Sequence, residues 1–438
     1  MRTRLWPIPL IAVIAAVAAG VVVPMLDQRI DGSLPPLLAQ LLFDGDSGAA
    51  RTVLDAIASS LVTVTSLTFS LTVVTLQLAS SQFSPRLLRT FTSDGFVQNT
   101  LGLFLATFVY ALTVLRGIRS SSDGGVSFVP RMAVSLAFLL ALCSVLGLVL
   151  FLAHLARQIR VETMLRDVHR NALTNLRAYL PRVEEPIPSW PPPLPRPVGA
   201  CPVPARGSGF VVKLDERALC RIAVEGDVVV EVDAHPGSFV VEGLPVGHVW
   251  PLPDRDVDDD SLAEVAKRMS GQLRTGFERT ATQDIGYGLR QLTDVANKAL
   301  SPGINDPTTA VHALGHISVL LGELAAHRLG DSVQRDDRGR VRVLVHRPDL
   351  AQLMEQSLTQ PRRYGAADAM VVNRLFGVLV ELSAQVRPDQ AACVRDHLDR
   401  LRATVAEQDF DPGEQAVFRD LAEQVLGNLR TIGGPATA

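Results

Sequence analysis

The sequence is poor in cysteine and has no cysteine pattern: of four in 438 residues, Cys143 lies in an apolar run and Cys201, Cys220 and Cys393 are scattered without a CxxC pair or zinc-ligand spacing. They read as free thiols in a reducing compartment, with no cysteine-built metal site. Strong charge is also lacking, since a formal net charge of −3 and a pI near 6.3 leave no electrostatic footprint for nucleic acid. Walker A, GxSxG, HExxH and dinucleotide fingerprints are missing, as is any paired-carboxylate motif in a supporting context. The chain is therefore expected to be no enzyme and to carry no cofactor.

What is present is hydrophobicity, unevenly spread. The apolar fraction is 47%, and it is concentrated before about residue 156, so a membrane half precedes a soluble half. Four runs are long enough to cross a hydrocarbon core: 8–26, 53–78, 96–115 and 132–155. The first follows Arg2 and Arg4 like a signal peptide, but three more apolar runs come after it and no small-x-small site precedes Asp27. It is expected to be retained. Arg2, Arg4, Arg86 and Arg89, then Arg157, Arg160, Arg166 and Arg170, place the N-terminus, the second loop and the C-terminal half inside, against a smaller outer set of Arg116, Arg119 and Arg131. Asp27, Asp31, Asp44 and Asp46 fall in the first outer loop, either as a cation-attracting vestibule or as ordinary loop acids.

The second run is the unusual one. Between Ala56 and Pro85 it carries no charge, yet it is dense in serine and threonine. At about 100° per residue, Ser59, Thr63, Ser66, Ser70, Gln77 and Ser81 share one narrow sector, and Thr65, Thr68, Thr72 and Thr75 lie opposite. One stripe can line a water-filled path while the other meets neighbouring helices. Equally, the hydroxyls can bond back to carbonyls one turn earlier. Val73 or Val74 would supply a hydrophobic constriction, and Pro85 followed by Arg86 and Arg89 should stop the helix at the inner surface.

Residues 157–180 continue the apolar periodicity of the fourth run and read as its unbroken helical extension, a stalk or a transmitter of motion. Residues 181–206 are a proline-rich linker in which neither helix nor central strand persists. Short Val-rich alternating runs separated by turn residues make 207–255 a small β domain, a barrel or sandwich. Lys213 lies inside a strand pattern, which speaks against a lipoyl-type carrier. Residues 256–430 read as helical, interrupted by a strand at 341–345, with Asp258 to Ser261, Asp306 and Asp349 as helix caps and 431–438 as a tail.

A second polar stretch, 279–316, places Asp284, Arg290, Asp294, Asn297 and Lys298 among apolar positions, followed by a turn and the helix start Asp306-Pro307. Asp284, Arg290, Asp294, Asn305, Asp306 and His312 are candidates for a ligand site, although the turn alone explains Pro302, Gly303, Asp306 and Pro307. His312 and His316 are four apart on one helix face, a geometry open to a metal and equally to ordinary surface or core histidines.

The combination of SLTVVTLQLASSQFSPRLLRTF with DIGYGLRQLTDVANKALSPGINDPTTA resembles the bacterial predicted membrane proteins grouped as domain-of-unknown-function family 2254, and the resemblance covers nearly the whole chain. It implies a bacterial membrane protein and carries over no catalytic residue. The expected fold is an α-helical membrane domain of four transmembrane helices followed by a cytoplasmic α+β region with a small β-barrel or sandwich and a helical domain. The expected function is a homo-oligomeric inner-membrane channel or channel-like transporter for ions or small solutes, its pore lined by Ser59, Thr63, Ser66, Ser70, Val73, Gln77 and Ser81. A membrane-anchored signalling or scaffold protein is the alternative.

Overall fold

The computed structural model describes residues 6–30, 42–82, 94–118, 129–158, 160–183, 195–255 and 257–432. Asp31, Pro85, Arg86, Arg89, the side chain of Ser81, residues 184–194 of the proline-rich stretch and the tail beyond 432 lie outside them. The chain divides into two compact units, 1–163 and 164–438.

The first unit consists of helices α1 (Pro7–Ile30), α2 (Ser47–Gln82), α3 (Gly95–Gly117) and α4 (Arg131–Gln158), each long and apolar enough to cross a membrane. α3 is the hub, packed on α1, α2 and α4. Small residues make the close approach possible. Ala16, Ala50, Ala58, Ala111, Ala133 and Ala137 are all buried in one cluster, and a Cβ on Gly20 of α1 would fall 2.7 Å from Thr113 of α3. The few buried polar groups are satisfied within the bundle, as the absence of water in hydrocarbon demands. Tyr110 donates to the Ala133 carbonyl at 3.2 Å, and the Thr107 and Ser144 hydroxyls meet at 3.2 Å.

Of the four acids between the first two apolar runs, the three described ones have structural partners. Asp27 is buried and accepts the backbone N–H groups of Met132 (2.9 Å) and Ala133 (3.3 Å), so it caps the start of α4. Asp44 pairs with Arg131 at 3.1 Å, and Asp46 accepts Ala49 N–H at the start of α2.

The expected unbroken extension of the fourth span is two helices. α4 ends at Gln158 and α5 (Val161–Tyr179) begins anew. α4 is apolar on most sides, whereas α5 has a single buried stripe of Met164, Leu165, Val168 and Leu176. In the second unit Ala172 of α5 lies so close to Gly288 that a Cβ there would collide with it, and Arg177 pairs with Glu323 at 3.0 Å.

The expected barrel or sandwich takes the form of two open sheets. Strands β1 (Cys201–Pro204), β3 (Val228–Val232), β5 (Pro245–Pro251), β7 (Ser332–Arg335) and β8 (Val341–Val345) form one in the order β1-β5-β3-β8-β7. β2 (Gly209–Leu214), β4 (Phe239–Val240) and β6 (Leu273–Gly276) form the other, in the order β4-β2-β6. Helices α6 (Glu216–Glu225) and α7 (Asp259–Ser270) contribute Leu219, Ile222, Leu262, Val265 and Met269 to the core shared with Val228, Val230, Val232, Val343 and Val345. The remaining helices are α8 (Tyr287–Ala299), α9 (Pro307–Ala325), α10 (Leu350–Tyr364), α11 (Ala369–Ser383), α12 (Ala391–Ala406) and α13 (Pro412–Ile432). Asp215, Asp258, Asp306, Asp349 and Asp368 cap α6, α7, α9, α10 and α11, each accepting a backbone N–H of the first turn, and such a cap contributes roughly 1 kcal/mol.

The strand at 341–345, legible in the sequence as an interruption between helices, is not peripheral. β8 pairs in parallel with β3, aligning Val230 with Val343 and Val232 with Val345. Arg342 fixes that pairing. Its side chain is 1% exposed, and its guanidinium donates to Asp336 (2.9 Å), to Asp227 (3.2 Å) and to the carbonyls of Ala223 and Val228 (3.2 and 3.4 Å). The end of α6 and the start of β3 are thus held to β8 by one side chain.

Arg342→Ala is expected to lower unfolding stability by about 3 kcal/mol, because it takes the donor from the carbonyls of Ala223 and Val228 and one of the two guanidinium groups from Asp336. Burial opposes ionisation of Asp336, but the N–H of Arg340 and the guanidinium groups of Arg342 and Arg340 overcome it and hold the carboxyl well below the usual range. Its contribution is therefore present above the unfolded carboxylate pKa, about 3.9, and is lost as pH falls through the lower folded value. Denaturant unfolding of the detergent-solubilised chain between neutral and acid pH checks both: Asp336→Asn should flatten the acid limb.

Candidate functional site

The two hydroxyl stripes of α2 differ in environment. Leu54, Ala58, Leu61, Thr68, Thr72 and Thr75 form one buried stripe at spacings of three, four and seven residues. The hydroxyls of Thr68, Thr72 and Thr75 each donate at 2.8 Å to the carbonyl four residues earlier, which removes most of the cost of burying them. Opposite them, Ser59, Thr63, Ser66, Ser70, Val73 and Gln77 are exposed. Ser59 donates to the Asp55 carbonyl at 2.8 Å and Thr63 to the Ser59 carbonyl at 3.3 Å. Asp55 is itself exposed, one turn before Ser59, and carries the polar stripe to a carboxylate. Of the two stripes that sequence periodicity left equivalent, the threonine one packs within the bundle and the serine one does not.

The candidates in 279–316 take separate places. Asp284 is 6% exposed; it accepts Arg279 Nε at 2.7 Å and Gly286 N–H at 3.1 Å, joining the start of α8 to the strands. Burial pushes its carboxyl above the ordinary range, against the pull of Arg279. It borders a cavity of about 20 Å³ with Asn171, Asn175, Tyr287 and Gln291, room for about one water, and none of the other five candidates lines that cavity. Arg290 and Asp294 pair along α8 at 3.1 Å. Asn305 sits in the turn with φ of 50°, and Asp306 caps α9 by accepting Thr309 N–H at 3.0 Å. His312 is exposed, while His316 lies against His169 of α5, ring centroids 5.1 Å apart. The His312–His316 face therefore meets α5 through one of its histidines, and burial lowers the basicity of both His169 and His316.

Gly237 is required by Asp284. Its φ is +98°, and a Cβ there would collide with the carboxylate. Gly243 also has positive φ, +79°, but a Cβ would meet nothing within 4 Å. Gly237→Ala should therefore destabilise by about 1–3 kcal/mol more than Gly243→Ala, which carries backbone strain alone. Thermal unfolding of the two variants measures the difference, and equal effects would show that Asp284 does not need the space.

Sequence reasoning passed over another constellation. In β3 the valines 228, 230 and 232 face the core, so Glu231 faces the other way, and Asp233 follows two residues on. Register sets His248 of β5 opposite Glu231, and His346, just past β8, donates its N–H to the Val232 carbonyl at 3.0 Å. Atoms of Glu231, Asp233 and His346 capable of holding a metal lie within 4.8 Å of one another. The polar letters inside VVVEVD, VGHVW and VLVH were the available signal, but three strands had to be put in register before they converged.

The family described as predicted membrane protein, DUF2254, matches residues 2–381. Uncharacterised proteins of Mycobacterium tuberculosis and Mycobacterium bovis are 32% identical over 419 residues, covering 95% of this chain and 79% of theirs. No solved structure matches the chain. With four helices apolar enough to cross a membrane and a family match over most of its length, the chain belongs to the predicted membrane proteins of DUF2254.

Proposed function

We propose that this protein is a homo-oligomeric channel or channel-like transporter of a bacterial inner membrane, with α2 of each copy lining the path. The observation that carries the reading is the exposed polar stripe on a helix whose opposite hydroxyls, Thr68, Thr72 and Thr75, are packed. From Asp55 to Gln77 the stripe covers 22 residue steps, about 33 Å of helix at 1.5 Å per residue, close to the ~30 Å thickness of a hydrocarbon core. An amide and a carboxylate turned to lipid are costly, and a path shared between copies around an axis gives them water instead. Ser59, Thr63, Ser66 and Ser70 would then solvate a partly hydrated ion or small solute, and Val73 would narrow the path. The arginines flanking the spans put the N-terminus and the C-terminal unit on the cytoplasmic side, where that unit regulates entry. No catalytic group is assigned.

Purified protein in liposomes tests this. The wild type should pass ions, Ser66→Leu should cut flux about tenfold or more, and Thr68→Val on the packed stripe should leave it nearly unchanged. Absence of flux at every voltage and membrane tension would sink the proposal. So would restoration of the cellular phenotype by the C-terminal unit on a foreign anchor, the result expected of a membrane-anchored scaffold.

A further inference from the structure

Independently of the pore, one face of the five-stranded sheet carries a set of donors for which neither the core nor the membrane gives a reason. Three adjacent strands deliver it. Glu231 and Asp233 come from β3 and its end, His248 from β5 and His346 from the end of β8. His346 Nε2 lies 2.8 Å from Glu231 Oε1 and 3.8 Å from Asp233 Oδ1, and His248 Nδ1 lies 3.3 Å from Asp233 Oδ2. That His248 nitrogen is shut off from solvent and makes no hydrogen bond among the described residues, although a carboxylate is beside it. On its far side, His346 Nδ1 meets Asp331 Oδ1 at 3.0 Å. A carboxylate behind an imidazole is the arrangement that fixes the tautomer of a metal-binding histidine and turns its Nε2 lone pair toward the ion.

A cation already sits among these donors. Arg196, within the proline-rich stretch, donates from Nε to Glu231 and at 2.8 Å to Asp233, with its guanidinium 3.4 Å from His248 Nε2. One guanidinium leaves the two carboxylates with a net charge of −1, whereas a divalent ion neutralises both. The guanidinium can only donate N–H to the histidine nitrogens, as in the long contact with His248; it has no acceptor for an imidazole N–H and no vacant orbital for an imidazole lone pair, so the histidines cannot serve as its ligands.

We propose that Glu231, Asp233, His248 and His346 form a binding site for one divalent transition-metal ion of the zinc class, which takes the place of the Arg196 guanidinium. Two imidazoles with two carboxylates suit zinc, iron, cobalt or nickel, whereas magnesium and calcium prefer all-oxygen shells. Occupancy would release Arg196, and with it the hold of the sheet on the part of the proline-rich stretch that leads into β1.

Isothermal titration of the full-length, detergent-solubilised protein with zinc, and separately with magnesium, tests the site. One zinc per chain at micromolar free ion and no magnesium binding are expected. Glu231→Gln and His346→Ala should each weaken zinc binding at least tenfold, and Asp331→Ala about 10–100-fold. Arg196→Gln should tighten it, because it removes the competitor; a purely structural ion-pair cluster would instead show lost stability and no metal binding. If Glu231→Gln fails to fold, the cobalt complex of the wild-type chain gives a second reading: visible bands of nitrogen and oxygen ligation without a thiolate charge-transfer band. No saturable zinc binding, binding unchanged in both Glu231→Gln and His346→Ala, or a thiolate band would each overturn the proposal.

Discussion

The parallel pairing of β3 with β8 is the constraint on which the second unit depends. About 110 residues separate the two strands, so closing that contact carries a loop-entropy cost that local structure cannot offset. The core offsets it by burying valines of both strands together with α6 and α7, and the buried Arg342 fixes the register by reaching from β8 to the end of α6. One face of the paired strands is thereby committed to the core. The other is left to Val229, Trp250 and Leu252 and, further along, to the cluster at Glu231 and His346. Stability and the candidate metal site are two faces of one pairing.

The first unit solves a different problem. In hydrocarbon, neighbouring helices gain little from hydrophobicity, so close contact between small residues and the satisfaction of every polar group decide the arrangement. Alanines around α3 supply the first, and Asp27 on α4, Tyr110 on Ala133 and the threonines of α2 bonded to their own helix supply the second. The serine face of α2 is left over from that packing, and for that reason it attracts a functional reading.

Much of the element order was legible because its causes are local. Four long apolar runs, the strand at 341–345, and helices opened by Asp258, Asp306 and Asp349 follow from periodicity and from carboxylates that accept first-turn N–H groups. The break after Gln158 escaped because the apolar spacing of the sequence continues across it. The role of the acids between the first two runs stayed open because composition cannot distinguish an aspartate in solvent from Asp27 on the N–H groups of Met132 and Ala133.

The sequence by itself determined that this is a membrane protein with a polar second span, a proline-rich break and a mixed C-terminal region, since hydrophobic runs, helix caps and proline act within a few residues of themselves. Tertiary structure alone decided which hydroxyl stripe of α2 is packed, where Asp284 and His316 are used, and that Glu231, Asp233 and His346 meet, with His248 beside Asp233. Periodicity gives a helix two faces without saying which one a neighbour will cover. Likewise, a strand's alternation fixes which residues share a side, but only pairing between distant segments brings the sides of three strands to one point.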